Sequence, residues 1–183
     1  MEFASETVTT KKNKPVTLRS PKVEDAQNIL NAMVEVAATS PYILNGPDFF
    51  ANQSLEAEIK WIEGYLSNPR GLCILAEYQN RVVGILDFAA YRGVKTRHRS
   101  LLGISLHPDM RGEGLGEKLF DKLIKEAKKI EGLTHIELSV MSENHQAFHL
   151  YKKVGFKEFG RRPEAYLQPD GTFCDEIMMG LKL

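Results

Sequence analysis

The segment Leu106-His107-Pro108-Asp109-Met110-Arg111-Gly112-Glu113-Gly114-Leu115-Gly116 lies between two apolar patterns of different period. Residues 101–106 alternate apolar and polar positions, which predicts a β-strand, and the run from Gly116 to about Ile130 has helical spacing. Glycines let the backbone approach an anion closely, and a helix N-terminus adds partial positive charge. This segment therefore predicts a binding loop for a phosphate or a pyrophosphate.

The spacing of these glycines excludes two common phosphate-binding motifs. A P-loop needs Lys and then Ser or Thr after its last glycine, whereas Glu117 and Lys118 follow Gly116. The dinucleotide fingerprint is G-x-G-x-x-G, and the spacing here is G-x-G-x-G. From this segment alone, a glycine-rich turn without a ligand stays open as the alternative.

Extended and helical patterns continue on both sides of this segment. Further helices are predicted over 22–38, 55–66 and 146–154, and a structured loop over 40–53. Further strands are predicted over 16–19, 72–78, 82–91, 136–140, 156–159 and 176–183, with turns at 79–81 and 169–171. This order predicts an α/β domain of mixed α+β type, with a central twisted mixed sheet of about six to seven strands and about four helices.

Composition and charge limit the partners of the chain. Of its 183 residues 43% are hydrophobic, and 24 basic residues balance 24 acidic ones. This balance argues against a nucleic-acid partner, and no apolar run approaches the ~18 residues of a membrane span. Residues 1–14 are polar and predict a flexible N-terminal tail, not a signal peptide, before one domain over 15–183. The distant Cys73 and Cys174 favour a reduced, cytoplasmic protein.

A second segment, Asn144-His145-Gln146-Ala147-Phe148-His149-Leu150-Tyr151-Lys152-Lys153-Val154-Gly155-Phe156, follows an alternating strand. It resembles Asn-x-x-Ala-x-x-Leu-Tyr followed by Gly-Phe, and residues 111–116 resemble Arg/Gln-x-x-Gly-x-Gly/Ala. Both patterns are signatures of the GNAT superfamily of acetyl-CoA-dependent N-acetyltransferases. Residues 16–26 are similar to that family's first strand and helix, so the resemblance covers about residues 16–183.

The resemblance implies a single GNAT-type domain that uses acetyl-CoA as co-substrate and no metal. It assigns Tyr151 as the catalytic general acid that protonates the departing thiolate. It assigns binding of acetyl-CoA to Leu106, Arg111, Gly112, Glu113, Gly114, Leu115, Gly116 and Asn144. The acceptor would be a primary amine of a small molecule or of a peptide or protein N-terminus, which attacks directly in a ternary complex. A non-catalytic acetyl-CoA sensor is the alternative function.

Several residues keep a structural alternative. Asn144 could simply be a helix N-cap, and Tyr151 lies on an apolar stripe and could be a core aromatic. His145 and His149 have i,i+4 spacing, but no third ligand indicates a metal site. Some relatives carry a glutamate where this chain has Ser139, so the general base is left open between Glu137, Asp87 and water.

The acceptor cleft and the oligomeric state are open as well. In the family, the first two helices, the 40–53 loop and the turn around 166–173 flank the acceptor. The final strands form a homodimer in some relatives and not in others, so a homodimer is one expectation.

Overall fold

The computed structural model describes residues 1–183 and divides them into two units, each with its own strands and helices. The first unit comprises residues 1–89 and 103–130, and the second comprises residues 90–102 and 131–183. Strand β5 (Arg99–Leu106) contributes its first residues to the second unit and its last residues to the first. None of the helices is long and apolar enough to span a lipid bilayer.

The first unit begins with four strands that follow each other in chain order. These are β1 (Glu6–Thr9), β2 (Pro15–Arg19), β3 (Gly71–Tyr78) and β4 (Arg81–Ala90). Each strand pairs antiparallel with the next one. The tight turn between β3 and β4 places Gln79 and Asn80 at positive φ, 51° and 62°, a conformation that asparagine tolerates better than most residues. The predicted hairpin is therefore confirmed.

Helices cover both faces of β3. On one face, α1 (Ala26–Ala38) and α3 (Leu55–Leu66) enclose an apolar cluster with Cys73 and Leu75 of the strand. On the other face, α4 (Leu115–Ala127) packs on β3. Its apolar stripe is fully buried and consists of Leu115, Leu119, Phe120, Leu123 and Ala127. Full burial of each large side chain contributes about 1.5–3 kcal/mol, so this packing fixes where α4 begins.

The second unit is built around β6 (His135–Met141) and β8 (Phe173–Lys182). The first residues of β5 pair in parallel with the start of β6. On its other side, β6 pairs antiparallel with β8, and β8 pairs antiparallel with β7 (Lys157–Leu167). Helix α5 (His145–Val154) connects β6 to β7, and it ends at Gly155, whose φ is 109°. Glycine is the residue that adopts this C-cap conformation without strain.

The predicted fold class is confirmed, with eight strands instead of about six to seven and five helices instead of about four. The additional helix is α2 (Pro47–Ala51), which lies within the predicted 40–53 loop and has no buried residue. The strands β7 and β8 are longer than predicted. Gly160 and Pro163 are residues that disfavour a strand. However, β7 is the last strand of its sheet, and the missing N–H of a proline is tolerated on an edge strand.

The additional strand is β1, and it lies within residues 1–14, which the sequence predicts to be a flexible tail. Val8 faces Val16 across the β1–β2 pair, and Thr7, Val8 and Thr9 are β-branched residues that suit a strand. The nearly buried ammonium of Lys122 donates to the Ala4 carbonyl (3.1 Å) and to Glu6 (3.3 Å). Pairing and this long-range contact, neither of which is visible in local composition, order the segment.

Candidate active site

The glycine loop connects β5 to α4 through a short 3-10 turn, Pro108–Met110. Gly112 and Gly114 have positive φ, 73° and 81°, and Gly114 is the N-cap of α4. A Cβ added to Gly112 would meet no atom within 4 Å, so the space beside the backbone is open there. The first N–H groups of a helix have no acceptor within the helix. Leu115 and Gly116 occupy this first turn, so their N–H groups have no acceptor within the helix.

Glu113, predicted as a residue that binds acetyl-CoA, has its side chain directed into the protein. The carboxylate is buried and accepts hydrogen bonds from Thr10 (3.0 Å) and Lys14 (2.8 Å). Its backbone carbonyl accepts from the Lys11 N–H (2.9 Å). The hydrogen bond from Lys14 holds the pKa of Glu113 below its ordinary value. The Glu113 side chain thus anchors the loop to the β1–β2 turn, and of its polar groups only the backbone N–H is left for a ligand.

Arg111, the other charged residue of the motif, braces the loop in a similar way. Its Nε donates to the carbonyl of Leu106 (3.1 Å), and one terminal nitrogen donates to the carbonyl of Thr39 (3.2 Å). Thr39 is the C-cap of α1, where a cation also interacts favourably with the helix dipole. The Arg111 side chain therefore joins the end of β5 to the end of α1.

His107 makes a second link to α1. Its Nδ1 accepts from the Asp109 N–H (3.2 Å), so Nε2 carries the proton and donates to Glu35 (2.6 Å). Glu35 also accepts from Arg81 (2.8 Å), and the His107 hydrogen bond lowers the pKa of Glu35. Local sequence patterns do not identify Glu35, Thr39, Thr10 or Lys14 as supports of the loop. These residues lie 72 to 103 positions from their partners, and no local pattern marks them.

Asp87, one of the two candidate bases, lies on β4 beside the end of β5. The hydroxyl of Tyr65 donates to its Oδ2 (2.7 Å). Its Oδ1 lies 3.2 Å from the position that a Cβ on Gly103 would occupy. Burial raises the pKa of Asp87, although the Tyr65 hydrogen bond partly offsets this. Asp87 is thus a half-buried carboxyl group that accepts hydrogen bonds from the Tyr65 hydroxyl and from its own backbone N–H.

Glu137, the other candidate base, lies in the second unit, and an arginine engages both of its carboxylate oxygens. Its two carboxylate oxygens accept from Nε and a terminal nitrogen of Arg99 at 2.5 and 2.6 Å. Such a two-point ion pair occupies both carboxylate oxygens. Neither oxygen of Glu137 is therefore open to a substrate.

Asn144 and Tyr151 both belong to α5 of the second unit. The Asn144 side chain accepts from the Ala147 N–H (3.2 Å) as the N-cap of α5. Tyr151 is 7% exposed and lies 6.0 Å, between ring centroids, from Phe156. Burial raises the pKa of Tyr151 to about 12, so this phenol holds its proton at neutral pH. No group of three His, Cys, Asp or Glu residues that could hold a metal is present.

The predicted site residues thus fall into two sets. Leu106, Arg111 and residues 112–116 form one continuous loop in the first unit, whereas Asn144 and Tyr151 share a helix in the second. Backbone N–H groups at the start of a helix suit a pyrophosphate. A protonated tyrosine suits the delivery of a proton to a leaving group. These two chemistries are the ones that acyl transfer from a thioester needs.

Comparison with known proteins agrees with this chemistry. The family model described as "Acetyltransferase (GNAT) family" matches residues 34–156. An L-amino acid N-acyltransferase of Escherichia coli K12 is 30% identical over 136 residues, which cover 72% of this chain and 77% of that protein. A [ribosomal protein bS18]-alanine N-acetyltransferase of Haemophilus ducreyi is 27% identical over 125 residues, with coverages of 68% and 85%.

Solved structures share the fold. An acetyltransferase of the GNAT family from Streptococcus pneumoniae superposes with a TM-score of 0.87 at 23% identity, over 92% of this chain and 99% of that one. A putative acetyltransferase from Salmonella typhimurium, solved with its cofactor acetyl-CoA, has a TM-score of 0.79 at 22% identity, with coverages of 92% and 94%.

Proposed function

The chain belongs to the acetyltransferase (GNAT) family and is an N-acyltransferase, and from this we propose that it transfers the acetyl group of acetyl-CoA directly to a primary amine. The acceptor we propose is a small molecule or the N-terminus of a peptide or protein. The relatives are named for an L-amino acid and for an alanine of a ribosomal protein, which supports this acceptor class.

The observation that carries the proposal is the geometry of the glycine loop. Two glycines with positive φ precede the 13-residue helix α4, and the space beside Gly112 is open. We propose that the N–H groups of residues 112–116 bind the pyrophosphate of acetyl-CoA, whose negative charge suits a helix N-terminus. The end of β5 at Leu106 would pair with the pantetheine arm and hold the thioester in place. Such orientation converts a bimolecular encounter into a nearly unimolecular one.

The chemical step forms one bond and breaks one. The nitrogen of the neutral amine attacks the thioester carbonyl carbon, and the tetrahedral intermediate then expels sulfur with the electron pair of the C–S bond. A thiol has a pKa near ~8.5, whereas burial raises the pKa of Tyr151 to about 12. Tyr151 therefore carries its proton at neutral pH, and we propose that it protonates the sulfur as coenzyme A leaves.

The test starts with calorimetric titration of acetyl-CoA into the purified protein, with ATP as a control. A panel of amines is then screened for release of the free coenzyme A thiol. We expect acetyl-CoA to bind, ATP not to bind, and at least one amine to be acetylated. Binding without turnover on any amine would instead favour the non-catalytic sensor, and absence of binding would overturn the loop assignment.

A further inference from the structure

We infer that Asp87, positioned by Tyr65, is the group that accepts the proton of the acceptor amine. The inference rests on the proposed acetyl transfer and names the residue that the reaction still needs. An amine that attacks a carbonyl must lose a proton to become the amide nitrogen. That proton would pass from nitrogen to a carboxylate oxygen of Asp87, directly or through one water, and from there to solvent.

The position of Asp87 against β5 is the first support for this role. β5 leads into Leu106 and the glycine loop, and Gly103 lies three positions before that leucine. Gly103 has no side chain, and a Cβ built on it would lie only 3.2 Å from the Oδ1 atom of Asp87. The carboxylate therefore lies directly beside the strand to which we assign the thioester.

The hydrogen bonds of Asp87 are the second support. Tyr65 donates to Oδ2 at 2.7 Å, which fixes the carboxylate in one orientation. The backbone N–H of Asp87 also donates to its carboxylate. Oδ1, which faces Gly103 of β5, is the atom positioned to take up a proton. By contrast, Arg99 engages both oxygens of Glu137. Asp87 faces no Arg or Lys in the contacts described.

The groups around Asp87 define the pH range in which it acts. Tyr65 and Glu58 come from α3, and Cys73 comes from β3. The charged groups that act on the Cys73 thiol are Asp87, Glu58, Asp25 and the Met1 amine. Burial raises the pKa of Tyr65 and of Cys73, so both stay protonated well above neutral pH. Burial also raises the pKa of Asp87 and of Glu58. These two carboxyl groups are therefore the ones nearby that titrate above their ordinary range.

The experiment measures kcat against pH, at saturating acetyl-CoA and amine, for four proteins: the wild type, Asp87→Asn, Tyr65→Phe and Glu58→Gln. Activity should rise with pH through the pKa of Asp87, because only the carboxylate can accept a proton. Asp87→Asn should lower kcat by roughly 10²–10⁴-fold and abolish this acidic limb. The hydrogen bond from Tyr65 lowers the pKa of Asp87. Tyr65→Phe removes this bond and should therefore move the acidic limb to higher pH. Glu58→Gln, the matched carboxyl-to-amide control, should leave the limb in place.

Calorimetric binding of acetyl-CoA separates this inference from the proposed function. Asp87→Asn should bind acetyl-CoA as the wild type does. Loss of that binding would make Asp87 a structural support of the donor site and overturn its role as proton acceptor. Unchanged kcat in Asp87→Asn, or an acidic limb unmoved in Tyr65→Phe, would overturn it as well. Absence of turnover in the wild type would instead refute the proposed function itself.

Discussion

The glycine loop after β5 and the helix α5 hold their proposed functional groups in opposite ways. In the loop, the charged side chains of Glu113 and Arg111 are used for bracing, with hydrogen bonds to Lys14 and Thr10 and to Leu106 and Thr39. The backbone is what remains for a ligand. In α5 the backbone is engaged in the helix, and a single side chain, Tyr151, is buried, which raises its pKa to about 12.

The two regions therefore depend on different properties of the sequence. A backbone site depends on where glycine permits positive φ and on remote contacts that keep the turn in shape. A side-chain site depends on one residue type and on the environment that sets its pKa. The two regions should therefore respond differently to substitution.

The largest effect is expected from Tyr151→Phe, which removes one oxygen atom from α5. If Tyr151 is the general acid, kcat should fall by roughly 10²–10⁴-fold while the Kd for acetyl-CoA stays unchanged. Steady-state kinetics and calorimetry measure the two quantities. Tyr78→Phe removes a hydroxyl elsewhere and should leave kcat intact. A kcat of Tyr151→Phe near that of the wild type would show that Tyr151 is a structural residue and not the general acid.

A smaller effect, confined to binding, is expected from Gly112→Val. Hydrogen bonds to a charged group contribute about 1.5–3 kcal/mol each, so the loss of two should weaken acetyl-CoA binding by at least roughly 100-fold. Gly132→Val is the matched control, because Gly132 has a similar φ of 70° and equally open surroundings. Both variants should lose similar stability, measured by thermal unfolding. Equal acetyl-CoA affinity in the two variants would refute the loop as the donor site.

Asn144 tests whether α5 also contributes a side chain to the donor. Asn144→Ala should lower the free energy of unfolding by about 1 kcal/mol, because the N-cap is lost, whereas Asn144→Ser should keep most of it. Urea unfolding measures both. We expect the serine variant to bind acetyl-CoA normally, as a cap requires. If Asn144→Ser keeps its stability but binds acetyl-CoA more weakly, the Asn144 side chain contacts acetyl-CoA. α5 would then contribute to binding of the donor, as the glycine loop does.

The smallest effect concerns the anchor of the loop at acid pH. Because Lys14 lowers the pKa of Glu113, the carboxylate contributes stability above its unfolded pKa of about 4.3. That contribution is lost as the pH falls through the lower folded pKa. The Tm of the wild type should therefore fall more steeply below about pH 4 than that of Glu113→Gln, by a few degrees. Parallel Tm curves for the two proteins would show that Glu113 does not anchor the loop through its charge.

Local patterns were enough to predict the class of the fold and the order of most elements. The alternation of residues 101–106, the glycine spacing and the stripe of α4 are all properties of neighbouring residues. Pairing was harder to predict. The strand β1 looks polar and short, and only its register with β2 and the contact of Lys122 with Ala4 and Glu6 reveal it. β7 contains Gly160 and Pro163, which concealed most of its length.

For the candidate site, the sequence located the loop and α5 but not the direction of their side chains. Glu113 and Arg111 look like ligand contacts in a phosphate loop, yet the structure directs both into bracing contacts. The choice between Asp87 and Glu137 could not be made from spacing either. It depends on Arg99 and Tyr65, which lie 38 and 22 positions from their carboxylate partners.

The contact between Thr10 and Glu113 also bears on how the chain is made. The two residues are 103 positions apart, and contacts between distant positions form late because a long loop must close first. At about 5–20 residues per second, the β1–β2 turn is synthesised roughly 5–20 seconds before its carboxylate partner. We therefore expect the glycine loop to acquire its shape only after most of the chain has been synthesised.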